Sequence, residues 1–563
     1  MPDRILVCVA WPYANGPVHL GQVAGAYLPA DIFARYHRTK GNHVLMVSGS
    51  DQHGTPVTVR AEQEGKAVAD VADFYHRSFL DTWERLGISF DLFTSTHTAN
   101  HEAVVHDMWR VIRDNGYLYP ATMPLMYCPT DDRFLPDRYV TGTCPHCAFV
   151  YARGDQCDNC GRPLNGIELV DPVCTFCKSV DSKPEVRESE HYFFKMSALN
   201  QRLAEWVDRQ SAVANWRPNV QNFTRRYLAE GLHDRAITRD IEWGVPVPEP
   251  GWEHKRIYVW FEACMGYLSA TKEFYASQGN PDGWTEFWRE SPDLRSYYFL
   301  GKDNIPFHTI IWPGMLMAYG GLDLAYDVPA NEFLSLEGQK FSTSRNWAVW
   351  APDYLDAYDP DPLRYLLSVN MPESGDTDFS WREYVRRNND ELVAAYGNLA
   401  HRVLTFTYRN FGQQVPQPGP LDDADRAVLT KAEEGLAAVG ASIEAVRLRE
   451  AIRGAMALAQ EGNRYLDDKA PWKTLKDDRE RTATSLHTAL TVIAALKQAF
   501  SPFLPFSAEK LHALLGRSGT CQDEGWHVVV PVPGTPLPQP APLFTKLDDS
   551  IIEMETAKLG PQP

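Results

Sequence analysis

The sequence predicts an α/β protein: one parallel-sheet domain, split by a small metal-stapled insertion and followed by an α-helical bundle. Three observations carry this reading. The first hundred residues alternate short apolar runs, Ile5 to Val9 and Val44 to Val47, with helical spacing such as Val23 to Tyr36, the pattern of βα units around a parallel sheet. From about Gly116 to Val186 that alternation stops and the chain turns rich in Cys, Gly, Pro and Asp. From Trp381 to about Leu515 apolar residues recur three and four apart, as at Leu392, Ala395, Leu399, Val403 and Phe406.

Taken in order, the elements divide the chain into 1–115 (first half of the sheet domain), 116–235 (insertion), 236–330 (second half), 331–385 (a loop region), 386–530 (helical domain) and 531–563 (a proline-rich strap and tail). The sheet resumes after the insertion because strand-like runs return at Arg256 to Trp260 and Tyr297 to Leu300, each followed by a turn and a helical pattern. Pro531 to Pro542 is dense in proline and reads as an extended strap. A chain of 563 residues is long for one core and fits about three or four units.

The chain opens into a strand without a signal-peptide pattern, and no apolar run is long enough to cross a bilayer, so a cytoplasmic protein without membrane contact is expected. The net charge of −18 argues against non-specific coating of nucleic acid, which rests on many Lys and Arg contacts to phosphate. A nucleic-acid partner would have to meet a local basic face. Six of the ten cysteines stand as Cys-x-x-Cys pairs between Cys144 and Cys177, a pattern that favours metal over disulfides in a large chain of this kind.

Directly after the first apolar run comes "AWPYANGPVHLGQ", Ala10 to Gln22. A helix that starts past the carboxyl end of a strand aims free N–H groups at that space and suits phosphate. His19 and Gln22 flank this helix start on one face, and Gly21 removes a side chain where a nucleotide could approach. A histidine capping its own helix would look the same. Polar and aromatic residues follow other apolar runs: Asp51 in "VSGSDQHGTP", Trp260, Ala263 and Tyr267 in "YVWFEACMGY", and Lys302, Asp303 and His308 in "YYFLGKDNIPFH". In doubly wound sheets ligands bind beyond the carboxyl ends of the strands. "EGQKFSTSR", Glu337 to Arg345, combines a flexible glycine, two cations and three hydroxyls, as a mobile phosphate clamp or a solvated loop would. Cys144, Cys147, Cys157 and Cys160 have the spacing of a tetrahedral zinc site.

His19-Leu20-Gly21-Gln22 resembles the His-Ile-Gly-His motif of class I aminoacyl-tRNA synthetases, and Lys340-Phe341-Ser342-Thr343-Ser344 their Lys-Met-Ser-Lys-Ser loop. Within that class the chain is most similar to the methionyl-tRNA synthetase family, through "PYANG", "DQHGTP", "RFLPDRYVTGTCP", "GDQCDNCG", "GKDNIPFH" and "KAPW", from about Ile5 to Trp472. The resemblance implies a Rossmann-like catalytic domain split by a zinc-knuckle insertion and an α-helical anticodon-binding domain. It also implies ATP (with Mg), L-methionine and methionine tRNA, elongator and initiator, as partners of a monomer.

By that resemblance, His19, Gln22 and Lys340 are catalytic, and ATP meets His19, Gly21, Gln22, Gly301, Lys302, Asp303, Lys340, Ser342 and Ser344. His19 and Gln22 would face the transferring phosphate, Asp303 the ribose and Lys340 the leaving pyrophosphate. Asp51 would take the α-ammonium, and Ala10, Trp11, Tyr13, Trp260, Ala263, Tyr267, His308 and Trp312 would line the methionine pocket, where aromatic walls suit a thioether. Two-zinc relatives complete Cys174 and Cys177 with a pair near Cys128, whose counterpart here is Asp131; a second site held by Cys128, Asp131, Cys174 and Cys177 and an empty one are both open. Trp472, at a turn after Pro471, would stack an anticodon base while Asn398 and Arg402, four apart on one helix face, bond its neighbours; Arg386, Arg387 and Arg409 would supply the local positive face. A core tryptophan is the structural alternative for Trp472.

The sequence departs from the motifs at Gln22 and Thr343, where histidine and lysine are usual, and at Trp11 and Cys264, where leucine and proline are. Three other readings stay open: a specialised or weakly active paralogue, a class I enzyme for another amino acid, and a non-catalytic RNA-binding zinc protein on a decayed synthetase fold.

Overall fold

The computed structural model describes residues 3–155, 157, 159, 160, 162, 164–177, 183–342 and 345–561. Its centre is a five-stranded sheet: β1 (Arg4–Val9), β2 (His43–Ser50), β3 (Leu92–Ser95), β4 (Leu294–Gly301) and β5 (Ala330–Asn331). The spatial order is β5-β4-β1-β2-β3, and every pairing is parallel. β1 is buried from Ile5 to Val9, which is why it reads as a continuous apolar run rather than an alternating one. β4 joins the sheet beside β1 from nearly three hundred residues away, so both sides of the switch in strand order lie around β1. That places a crevice at its carboxyl end, beyond Val9.

One expected strand is not there. Arg256 to Trp260 supplies only a two-residue antiparallel strand, Arg256–Ile257, paired with Thr238–Arg239, and then turns into the helix Val259–Glu262. Its run of apolar residues reflects a short helix buried at Val259, Phe261 and Glu262, which periodicity cannot tell from a strand at this length.

The insertion is built on a long antiparallel pair, Leu118–Cys128 against Glu185–Phe194. Beyond it the cysteine-rich segments form a three-stranded sheet with a core of their own around Met126, Leu135, Val140 and Leu169. A hydrogen bond of 2.9 Å between the Thr58 and Tyr139 hydroxyls ties this unit to the sheet domain.

The helical domain comprises Trp381–Asn410, Asp423–Glu444, Leu448–Lys469, Arg479–Phe500 and Pro505–Leu514. Arg479–Phe500 is buried on all faces from Thr482 onward, so it is the bundle's central helix. Arg364, fully buried, welds this domain to the sheet domain: it meets Asp31 Oδ2 at 2.6 Å and donates to the carbonyls of Leu86 (3.2 Å), Pro502 (3.0 Å) and Phe503 (2.8 Å). A buried ion pair needs this many extra hydrogen bonds to offset its desolvation.

The proline-rich stretch is irregular, with a turn at 533–534 and an isolated bridge from Pro536 to Gln414, and the tail after it folds back with a helix at Ser550–Thr556 that the sequence reading did not expect. Asn389 brackets Leu547 through hydrogen bonds to its N–H and carbonyl, both 2.9 Å. The Gly560 N–H then donates to the Asn346 carbonyl at 3.0 Å.

Candidate active site

His19 caps the helix that starts at Leu20: its Nδ1 accepts the Gly21 N–H at 3.1 Å, while Gln22 Oε1 accepts the His19 N–H at 3.1 Å. The capping reading is thus present, and it has a chemical consequence. With Nδ1 occupied as an acceptor, a neutral ring carries its proton on Nε2, the nitrogen left to meet a ligand. Burial lowers the His19 pKa to about 4, so the ring is neutral at pH 7. Gln22, bound through its oxygen, can turn only its amide N–H2 toward a ligand.

The loop around Phe341, more than three hundred residues along the chain, packs on this helix start. Phe341 stacks on His19 with ring centroids 4.8 Å apart at 17°. The Leu20 N–H donates to Val349 and the Ala351 N–H to Val18, at 3.1 and 2.8 Å. A Cβ on Gly21 would come within 3.0 Å of the His19 ring and 3.5 Å of Phe341, which is the close approach its missing side chain allows. Lys340, on the exposed strand Gln339–Lys340, lies with Nζ 5.2 Å from the Phe333 ring centre. Ser342 donates its N–H to the Trp347 carbonyl at 3.0 Å; Thr343 and Ser344 lie outside the described residues. Gly301 precedes the turn Lys302–Asn304, where Asp303 is exposed and Lys302 is committed to Glu332 (2.6 Å) and Asp376 (3.0 Å).

Beside this lies the aromatic pocket. The Trp260 indole N–H donates to the Tyr13 hydroxyl, and Phe307 packs edge-on against Trp260. His308 donates from Nδ1 to the Asn304 carbonyl (2.9 Å) and accepts the Tyr267 hydroxyl at Nε2 (2.7 Å); burial lowers its pKa to about 4. Trp312 donates to the Tyr298 hydroxyl at 3.0 Å. Ala10 is held by Phe299 (its N–H, 3.0 Å) and Tyr27 (its carbonyl, 3.1 Å). Trp11 slides between two glycines: a Cβ on Gly49 or Gly266 would lie 2.4 or 2.7 Å from the indole. Ala263 and Cys264 continue the chain from the short helix, with the Cys264 thiol directed to the Trp260 carbonyl at 3.3 Å.

Asp51, 3 % exposed, lies behind Tyr13, tied by backbone bonds to Pro12 (2.7 Å) and Ala14 (2.8 Å) and bridged to Tyr13, and is not among the residues lining the cleft. Burial, and then the nearby Glu262 carboxylate, push its pKa well up. Such a carboxyl gains from the arrival of a cation. A cleft of 1060 Å³ leads in from outside, lined by Tyr13, Trp260, Asp303 and Phe307 from the sheet domain and by Arg138 and Arg162 from the insertion.

Sequence reasoning missed a buried polar cluster behind Asp51. Glu262 is fully enclosed and bonds His53 Nδ1 at 2.7 Å and His101 Nε2 at 2.5 Å. A glutamate inside the apolar run "VWFEACMGY" was the available signal. It also missed the π-helical turns at Val23–Tyr27, Phe307–Ile311 and Asn388–Gly397, which adjoin His19, contain His308 and precede Asn398.

In the insertion, the ligand atoms of Cys144, Cys147, Cys157 and Cys160 all lie within 4.8 Å of one another. Two of the gaps are 3.6 Å (Cys147 to Cys157) and 4.0 Å (Cys144 to Cys160), around the ~3.8 Å edge of a tetrahedral zinc–thiolate site. Hydrogen bonds from Asn159 and the Phe149 backbone lower the Cys147 pKa to about 6, while burial pushes Cys157 up to about 12. Cys128, Asp131, Cys174 and Cys177 form a second cluster as tight, with Asp131 Oδ2 3.0 Å from the Cys174 sulfur. Both clusters therefore fit a metal ion. Among the described residues the ten cysteines are free thiols.

At the far end of the molecule Trp472 is 43 % exposed and not part of a core. The left-handed Ala470 and buried Pro471 project it, and the Arg402 guanidinium lies 5.0 Å from its ring centre. Asn398 is exposed on the same helix as Arg402. Arg386 and Arg387 are paired with Glu383 and Glu391, so the positive face expected from them is largely neutralised.

A parallel sheet with a capped helix at the carboxyl end of β1, closed by a lysine-bearing loop, is the architecture of a class I aminoacyl-tRNA synthetase catalytic domain. Residues 5–404 match the model of class I tRNA synthetases (M), and residues 415–561 match the anticodon binding domain of methionyl tRNA ligase. The chain is 57% identical over 560 residues to the methionine–tRNA ligase of Dehalococcoides mccartyi, covering 100% of each, and 52% identical to that of Thermomicrobium roseum, covering 99% of each. It is similar to the crystal structure of Mycobacterium tuberculosis methionyl-tRNA synthetase bound by methionyl-adenylate, with a TM-score of 0.78 and 27% identity over 97% of this chain and 100% of that one. The chain belongs to the methionyl-tRNA synthetase family.

Proposed function

We propose that this protein activates L-methionine with ATP, releasing pyrophosphate, and transfers the methionyl group to the terminal ribose of methionine tRNA, elongator and initiator, for translation. The observation that carries the proposal is the meeting of the two ATP motifs, with Phe341 stacked on His19 across a chain separation of more than three hundred residues. In the first step a methionine carboxylate oxygen bonds to the α-phosphorus as the bond to the leaving pyrophosphate breaks, in line. In the second, a ribose hydroxyl attacks the methionyl carbonyl, AMP leaves, and the hydroxyl proton departs to solvent.

Neither step calls for a protein nucleophile, so the protein's part is positioning and charge stabilisation. Neutral His19 offers Nε2–H to the phosphate and Gln22 its amide N–H2, both held by the capping bonds. Lys340 meets the developing pyrophosphate charge, with Ser342 and Ser344 as hydroxyl donors on the same loop. Gly301, Lys302 and Asp303 hold the nucleoside side, and Mg accompanies ATP. Asp51 pairs with the α-ammonium, while Trp11, Tyr13, Trp260, Ala263, Tyr267, His308 and Trp312 enclose the side chain with Ala10. Neutral His308 polarises the Tyr267 hydroxyl toward itself, so that wall presents an aromatic face rather than a charge.

Cys144, Cys147, Cys157 and Cys160 hold a structural zinc, because four protein ligands leave no open position for chemistry. Cys128, Asp131, Cys174 and Cys177 hold a second. Asn398, Arg402, Pro471 and Trp472 read the anticodon. We assign a monomer working in the cytoplasm; no helix of the described residues is long and apolar enough to cross a membrane. Within this scheme the boundaries 1–115, 116–235, 236–330, 331–385, 386–530 and 531–563 divide the labour.

ATP–pyrophosphate exchange with a panel of amino acids tests the reading: methionine alone should support exchange well, and exchange with another amino acid, or none, overturns it. Metal analysis of protein prepared without chelator should find at least one zinc per chain; less than about half an equivalent would refute the knuckle.

A further inference from the structure

Three parts of the chain meet around the buried carboxylate of Glu262. Its own helix, Val259–Glu262, carries Trp260 and leads to Ala263. The loop after β2 brings His53, whose Nδ1 bonds Glu262 Oε1 at 2.7 Å. The helix Ala99–Asp114 brings His101, whose Nε2 bonds Glu262 Oε2 at 2.5 Å. All three side chains are at most 3 % exposed.

Further hydrogen bonds hold the two imidazoles in place. Ser269 donates its hydroxyl to the Gly266 carbonyl at 3.0 Å and so accepts from His101 Nδ1 at 2.9 Å. His101 thus has a hydrogen-bond partner at each ring nitrogen, Ser269 on one side and Glu262 on the other. His53 gives its Nδ1 proton to Glu262 and meets His97 Nδ1 with Nε2 at 3.1 Å. With both carboxylate oxygens engaged, burial, which would push the Glu262 carboxyl up, is outweighed by the two imidazoles, and its pKa is lowered.

His53 also faces the substrate side. Its backbone N–H donates to Asp51 Oδ1 at 3.3 Å. Anchoring the His53 ring therefore fixes a donor on the carboxylate proposed to pair with the ammonium. Glu262 adds a second negative charge close behind Asp51.

We propose that Glu262, clamped by His53 and His101, is the positioning residue that orients Asp51 and supplies the negative field selecting a substrate with a free α-ammonium. Resting as it does on Asp51 being the ammonium ligand, this inference needs a test that separates the two. Among small ligands the cluster should distinguish methioninol, which keeps the ammonium, from desaminomethionine, which lacks it.

The test is inhibition of methionine-dependent ATP–pyrophosphate exchange by these two compounds in the purified full chain. In Glu262→Gln, which keeps the shape and removes the charge, the methionine KM and the methioninol inhibition constant should rise roughly tenfold or more. The desaminomethionine constant and the ATP KM should stay within about twofold. His101→Gln, which keeps a donor to Glu262, should fall between parent and Glu262→Gln. If all constants in Glu262→Gln rise together, or none does, the cluster is packing alone and the inference fails. Asp51→Asn is the control: if it leaves methioninol inhibition intact, the assignment of Asp51 itself is wrong, whereas a loss there without a loss in Glu262→Gln overturns only the role of Glu262.

Discussion

Two tryptophans mark the difference between the ends of this molecule. Trp312 is 1 % exposed and its indole N–H is satisfied by Tyr298, whereas Trp472 is 43 % exposed with the Arg402 guanidinium over its ring. The pocket end is closed by the chain's own side chains: His308 is bonded through both nitrogens, and Trp11 is wedged between glycines. The anticodon end is left open, held on its flank by an ion pair between half-exposed Arg402 and exposed Asp467. A small substrate has too little surface to order a site, so its walls must be set in advance. A tRNA loop brings its own bases to stack, and an exposed ring on a rigid turn is what it needs.

The largest effect should separate catalysis from recognition at the pocket end. Lys340→Ala should slow methionine-dependent pyrophosphate exchange roughly 10²–10³-fold, as removal of a transition-state charge donor does, while the methionine KM stays within about twofold. An unchanged exchange rate would remove Lys340 from the chemistry.

Next comes the weld between the two ends. Burial pushes the Asp31 carboxyl up, but the guanidiniums of Arg35 and Arg364 and the Ser89 hydroxyl outweigh it and bring the pKa to about 2. Its folded pKa is below the unfolded value, so its stabilisation is present above about pH 4 and is lost as pH falls toward 2, a span of about 2 kcal/mol. The stability gap between the parent and Asp31→Asn, measured by denaturant titration, should therefore shrink over that window. A gap constant down to about pH 2 would mean the weld is not ionic.

At the open end Trp472→Ala should lower aminoacylation of methionine tRNA by one to two powers of ten, about 1–3 kcal/mol, with tRNA-free pyrophosphate exchange nearly unchanged. A parallel fall of both reactions would make Trp472 structural and erase the contrast drawn above. Smallest should be Gln22→His: the capping bond to His19 requires an acceptor that histidine also offers, so exchange should stay within about threefold or rise. A severe loss would show that the Gln22 amide does something a histidine cannot.

Much of this was legible along the chain. β1 and β2 are buried on both faces, so their apolar runs announce a parallel sheet, and the Cys-x-x-Cys spacing encodes a thiol cluster able to hold a metal ion because its geometry is local. The helical spacing from Trp381 onward does the same for the bundle. Arg256 to Trp260 was misread as a strand because its apolar run is too short for its period to show, and the helix at Ser550–Thr556 followed a proline-rich segment that masked it.

What the sequence by itself determined, then, are the features whose physics is local: periodic burial, helix capping at His19 and thiolate spacing. Only the tertiary structure decided which distant residues share a site. Phe341 on His19, Glu262 between His53 and His101, and Arg364 on Asp31 each join segments that are far apart in the chain. Their partners are selected by packing in the folded interior, where burial makes a charge costly unless a particular partner stands beside it. No residue's neighbours in sequence carry that information.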